Sequence, residues 1–128
     1  MWKSVAAVSI GGMLGCLLRW LLGLQLNNLL PAIPPGTLAA NVIGGYIIGL
    51  AVVFFAINAA VPPEWRLFVT TGFCGGLTTF STFSAEVVTR LERAQVGTAM
   101  AEIGVHLVGS LGATALGVLT IHWILQRG

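Results

Sequence analysis

Three sets of residues in this 128-residue chain have types and spacings suited to handling a small ion. His106, Ser110 and Thr114 are spaced i, i+4, i+8, so a helix puts all three on one face, where an imidazole and two hydroxyls can replace water around an ion or small molecule. Asn41 sits among Ala39, Ala40, Val42 and Ile43, and an amide turned towards lipid costs a few kcal/mol, so it must face a partner or a wet cavity. The third set is the run Thr70-Thr71-Gly72-Phe73-Cys74-Gly75-Gly76-Leu77-Thr78-Thr79-Phe80-Ser81-Thr82-Phe83-Ser84. Gly75-Gly76 followed by paired β-branched threonines weakens a helix, and carbonyls freed at a break are ligands for a hard monovalent cation. A single break presents too few carbonyls at one point, which calls for a two-fold partner.

Within that run Phe80 and Phe83 are three residues apart, alternating with the hydroxyls of Ser81, Thr82 and Ser84. A phenyl ring is positive at its edge, so rings presented edge-on can contact a small, poorly polarisable anion. Each feature also has a plainer reading: aromatic pairs at helical spacing pack cores, serine and threonine bond their own helix carbonyls, and a lone histidine is often a satisfied packing residue. As an aligned set with Asn41, the polar residues point to a pathway. Hydroxyls, amide donors and ring edges without a fixed carboxylate suit an anion better than a cation. Glu86, the acid expected at membrane depth, is a functional candidate that could instead pair with Arg19 or lie near the interface. Arg19 itself either snorkels to the headgroups or holds a buried structural place. No enzyme is expected: the chain offers no nucleophile–base pair or metal-ligand cluster, and His106 and His122 are too far apart.

These residues need elements that hold them inside a membrane, and the composition provides for that. Hydrophobic residues make up 56% of the chain and charged ones 8%, with a mean hydropathy of +0.94. A soluble domain carries about a quarter of its residues as charges. A helix crossing roughly 30 Å of hydrocarbon needs about 20 apolar residues, so the chain has room for four spans and short loops. Residues 4–24, 37–60, 67–90 and 96–125 are the predicted spans of a single all-α transmembrane domain covering 1–128, the third span broken mid-membrane. Gly11-xxx-Gly15 and Gly45-xxx-Gly49 allow close helix approach, either within the chain or between subunits. Four spans place Lys3, Arg66 and Arg127 on one side and Arg19, Arg90 and Arg93 on the other, a balance that sets no orientation. The plainer reading is that so small a count misses a real bias; the sharper one is dual topology, with an antiparallel homodimer built from both orientations. No basic patch for nucleic acid exists.

The run Gly72 to Ser84 resembles the signature of the CrcB/Fluc family of fluoride ion channels in its entirety. Gly11-Gly12-xx-Gly15-xxx-Arg19 and Gly36-Thr37-Leu38-xx-Asn41-xx-Gly44-Gly45 match that family's other motifs in order and spacing. The resemblance implies an antiparallel homodimer with two fluoride pores beside a central structural sodium ion. It implies that Phe80 and Phe83 from opposite subunits form a box of ring edges, with Asn41 donating nearby. Ser110 and Thr114 would continue the path as a polar track, with Ser81, Thr82 and Ser84 as lesser members. The carbonyls of Gly75 and Thr78 match its sodium site, Arg19 and Glu86 match positions near its pore mouths, and His106 joins the path only through the stripe.

The expected function is thus a passive, selective fluoride channel in a bacterial inner membrane. Hydrogen fluoride enters cells as a neutral acid and dissociates, and a channel lets the trapped anion leave. The rivals are a small dual-topology proton-coupled exporter of cationic drugs, for which span one lacks the needed carboxylate, and a non-transporting assembly subunit.

Overall fold

The structure, a computed structural model, describes all 128 residues, and every regular element in it is helical. Helix α1 covers Trp2–Leu26 and α2 covers Pro35–Ile57. The third span is assembled from pieces: α3 (Pro63–Arg66), a π-helix (Leu67–Cys74), one further turn α4 (Gly75–Leu77), and then α5 (Phe80–Glu92). Helix α6 (Val96–Arg127) completes the chain. By length and composition α1, α2 and α6 can each cross a membrane, so the fold is three continuous spans and one broken one.

Local chemistry explains the boundaries. Pro35 and Pro63 each open a helix, where a missing N–H costs nothing. The first free N–H groups of α2, on Gly36 and Thr37, are satisfied from outside by Asn27 Oδ1 at 2.8 and 3.3 Å. Helix α2 ends at Ile57, short of the predicted 60, because Asn58 leaves the helical region and turns its side-chain amide back to the Phe54 carbonyl. Between α5 and α6 the chain reverses through Ala94, the one non-glycine residue at positive φ (57°).

Both small-residue motifs are consumed within the chain. A Cβ on Gly11 or Gly15 would strike backbone of the third span at Phe68, Phe73 and Leu77, and reciprocally one on Gly72 or Gly76 would strike α1. Gly45 and Gly49 play the same part between α2 and α6, where added Cβ atoms would meet the backbone of Ser110, Thr114 and Gly117. Backbones this close gain dispersion energy that side chains would block. Their outer faces carry large apolar residues such as Trp20, Leu21, Val108 and Leu111, exposed as a lipid-facing surface requires.

Within the predicted weak stretch the break falls at the threonines and not at the glycine pair. Gly75 and Gly76 remain helical, and Gly76 serves the close approach to α1. Only Thr78 (ψ 152°) and Thr79 (φ −150°, ψ 113°) are extended.

Candidate functional site

Asn41 on α2 is what holds the break open. Its Oδ1 accepts the Thr79 N–H at 2.7 Å and its Nδ2 donates to the Thr79 carbonyl at 3.2 Å, as a neighbouring strand would. The second Nδ2 hydrogen goes to His106 Nδ1 at 3.1 Å, so both have partners inside the chain. The Thr79 hydroxyl caps α5 by accepting the Thr82 N–H at 3.0 Å. In a continuous helix the Thr79 N–H would serve the Gly75 carbonyl and the Thr82 N–H the Thr78 carbonyl. Both donors are diverted, which frees those two carbonyls of their helical partners. They are the pair matched to sodium, and backbone carbonyls are the hard oxygen donors such an ion takes. Arg19 occupies the carbonyl between them in sequence: its Nε donates to Gly76 O at 3.0 Å.

Beside the break lies a groove of about 410 Å³ lined by Asn41, Gly45, Thr78, Phe80, Phe83, His106 and Ser110, with Gly75 at its wall. The Phe80 and Phe83 rings meet edge to face, centroids 5.5 Å apart at 62°, and Phe80 is 78% exposed, so the groove opens on the surface of the chain. The His106 ring lies 4.7 Å from that of Phe83.

The remaining predicted residues surround this groove without lining it. Thr114 donates to Gly45 O (2.9 Å) and Ser110 O (3.0 Å), clasping α2 to α6. The hydroxyls of Ser81 and Thr82 gather on that of Thr79, at 3.2 and 3.1 Å. Ser84 is part-buried on the next turn of α5.

Two expectations about charge need correction. Glu86 does not pair with Arg19; its Oε1 accepts from the Thr37 hydroxyl at 2.6 Å. Arg90, placed by the sequence reading among the charges that set orientation, folds inward: 13% exposed, it meets fully buried Glu102 at 3.1 Å and also reaches the Pro31 carbonyl. The site therefore does contain fixed carboxylates. A carboxylate oxygen of Glu86, one of Glu102 and a ring nitrogen of His106 lie within 4.8 Å of one another, a cluster the sequence reading excluded. The available signal was Glu102 four residues before His106, which puts acid and imidazole on one face of α6. Thr37 and Thr79 were missed too, because their roles arise from contacts across the fold.

A family model described as "CrcB-like protein, Camphor Resistance (CrcB)" matches residues 6–118. A Pseudomonas paraeruginosa protein named fluoride-specific ion channel FluC is 58% identical over 127 residues, covering 99% of this chain and all of the relative. Proteins of the same name from Pseudomonas aeruginosa and Nitrosomonas europaea are each 57% identical, over 99% and 96% of this chain and 100% and 97% of their own length.

Proposed function

The chain belongs to the CrcB family, and from that premise we propose that it is a passive fluoride channel, a transporter and not an enzyme. The observation that carries the reading is the groove, where the edge-to-face Phe80–Phe83 pair meets Asn41, His106 and Ser110. Ring edges and hydroxyl or amide hydrogens offer positive potential without a charge that would trap the anion. Asn41 can donate to the ion only by releasing Thr79 or His106, so its first role is to hold the break that presents Phe80. Ser110 and then Thr114, once freed from Gly45, continue the hydroxyl track along α6.

The reading includes two antiparallel copies in a bacterial inner membrane, each contributing ring edges to two pores. Supporting it are the exposed Phe80 and the groove open along one face. The freed Gly75 and Thr78 carbonyls of both copies would hold one sodium ion, which when bound supplies a fixed positive centre that ties the two breaks together. Fluoride leaves down its gradient; no energy source is required.

The test is growth of a fluoride-sensitive bacterium lacking its own exporter, in acidic medium where hydrogen fluoride enters fastest. Expression of this chain should restore growth in fluoride, and a Phe83→Ile variant produced to the same level should not. Equal growth with and without the chain would count against the reading.

A further inference from the structure

Glu86 and Glu102, clustered with the groove residue His106, have no place in the conduction scheme above. All three residues have one polar atom satisfied: Glu86 Oε1 by Thr37, Glu102 Oε2 by Arg90, and His106 Nδ1 by Asn41. The other atom of each, Glu86 Oε2, Glu102 Oε1 and His106 Nε2, is buried without a partner. Glu102 is 0% and His106 4% exposed. Three unpartnered polar atoms in one place require a ligand or a hydrogen.

The histidine tautomer decides which. Thr79 fixes the Asn41 amide by giving its N–H to Oδ1 and its carbonyl to Nδ2, so the Asn41 contact to the imidazole is a donor. His106 Nδ1 must accept, and in the neutral ring the hydrogen resides on Nε2. A metal at Nε2 would need that hydrogen moved to Nδ1, against the amide donor, whereas metal-bound histidines give their second N–H to an acceptor. The cluster is therefore poorly built for a metal. Counting donors, the inner carboxylate oxygens of Glu86 and Glu102 have only the His106 Nε2–H between them. Counting charge, Arg90 balances one carboxylate and leaves the other uncompensated. The packed elements bring nothing more: α2 presents only the uncharged Thr37 and Asn41, α5 presents Glu86 and Arg90, and α6 presents Glu102 and His106. One added hydron between the two carboxyl groups satisfies both counts.

We propose that Glu86 and Glu102 form a proton-binding site, sharing one hydron beside the Nε2–H of His106 at the edge of the groove. His106 joins this site to the path, since its ring packs on Phe83 and lines the groove. With the hydron present the cluster is neutral; without it, a bare negative charge faces an anion's route. Fluoride flux accordingly falls as the hydron is lost on raising pH. The site itself does not depend on which ion crosses, so it is tested apart from conduction.

The chain has four acidic residues, all glutamates, which makes infrared spectroscopy of the purified protein in lipid decisive. At pH 7 the expected spectrum shows a protonated-carboxyl stretch that shifts in deuterated buffer and is lost in both Glu86→Gln and Glu102→Gln. The glutamine amide supplies the missing donor to the remaining carboxylate, so these variants should fold; if one does not, the other and the wild-type spectrum still decide. Absence of the band in the wild type at pH 7, or its survival in either folded variant, overturns the site. So does a stoichiometric transition metal co-purifying with the wild-type chain, measured by elemental analysis.

Discussion

The two halves of the third span are held by opposite means. From Pro63 to Leu77 it lies against α1 backbone to backbone, with Gly11, Gly15, Gly72 and Gly76 removing every side chain that would separate them. From Thr79 to Glu92 it is attached by side-chain hydrogen bonds to α2 and α6: Asn41 to Thr79, Thr37 to Glu86, Arg90 to Glu102. The first half is thus mainly a scaffold, with Gly75 at the groove wall, and the second carries this span's candidate side chains. Separating the two at Thr78–Thr79 lets a protein of four spans keep a rigid packing and still expose ring edges and carbonyls. Within the membrane such non-helical backbone persists only where protein shields it, and the Asn41 amide provides that shield.

Substitutions that strike one half should leave a different signature from those that strike the other. The largest effect is expected at Arg90: Arg90→Ala strands the buried Glu102 carboxylate, at a cost of about 3–5 kcal/mol. Thermal denaturation in detergent should show it, and Glu102→Gln in the same chain should recover much of the loss. Gly15→Val, in the scaffold half, forces α1 from the Phe73 and Leu77 backbone and should cost about 3 kcal/mol without rescue by any polar change. Asn41→Ala leaves the Thr79 N–H and carbonyl unpaired, and about 2–3 kcal/mol of stability should go with them. Hydrogen exchange should then rise at Thr78–Thr82 and stay unchanged at the π-helix. The smallest effect is at the α5–α6 turn, where Ala94→Gly relieves a left-handed backbone and should stabilise by about 0.5–1 kcal/mol in the same melts.

How much of this was legible in the sequence follows the same division. The spans, the broken third one and the small-residue motifs could be read because lipid imposes one-dimensional rules on length and apolarity. The break was expected across Gly75-Gly76 and the threonines after them, and it is confined to the threonines, since backbone contact with α1 keeps Gly75 and Gly76 helical. The groove residues Phe80, Phe83, His106 and Ser110 were named from spacing on a helix face and Asn41 from its apolar neighbours, and all five line one cavity. What spacing could not give was partnership across the fold. Arg90 was counted among the charges that set orientation and Glu102 was given no role, because nothing local tells that α5 and α6 bring them together in the interior. Asn41 was read as facing a partner or a wet cavity, and it does both, engaging the backbone of Thr79 and lining the groove.

The claim at the centre is that the second half of the third span forms the route for fluoride. Purified protein reconstituted in liposomes, with a potassium ionophore clamping the voltage, tests it through anion efflux read at fluoride and chloride electrodes. The wild type should release fluoride rapidly and chloride not at all. Phe80→Ile and Phe83→Ile should each slow fluoride at least tenfold while eluting from a sizing column like the wild type. Unchanged fluoride efflux in both variants, or equal release of chloride by the wild type, would contradict the account.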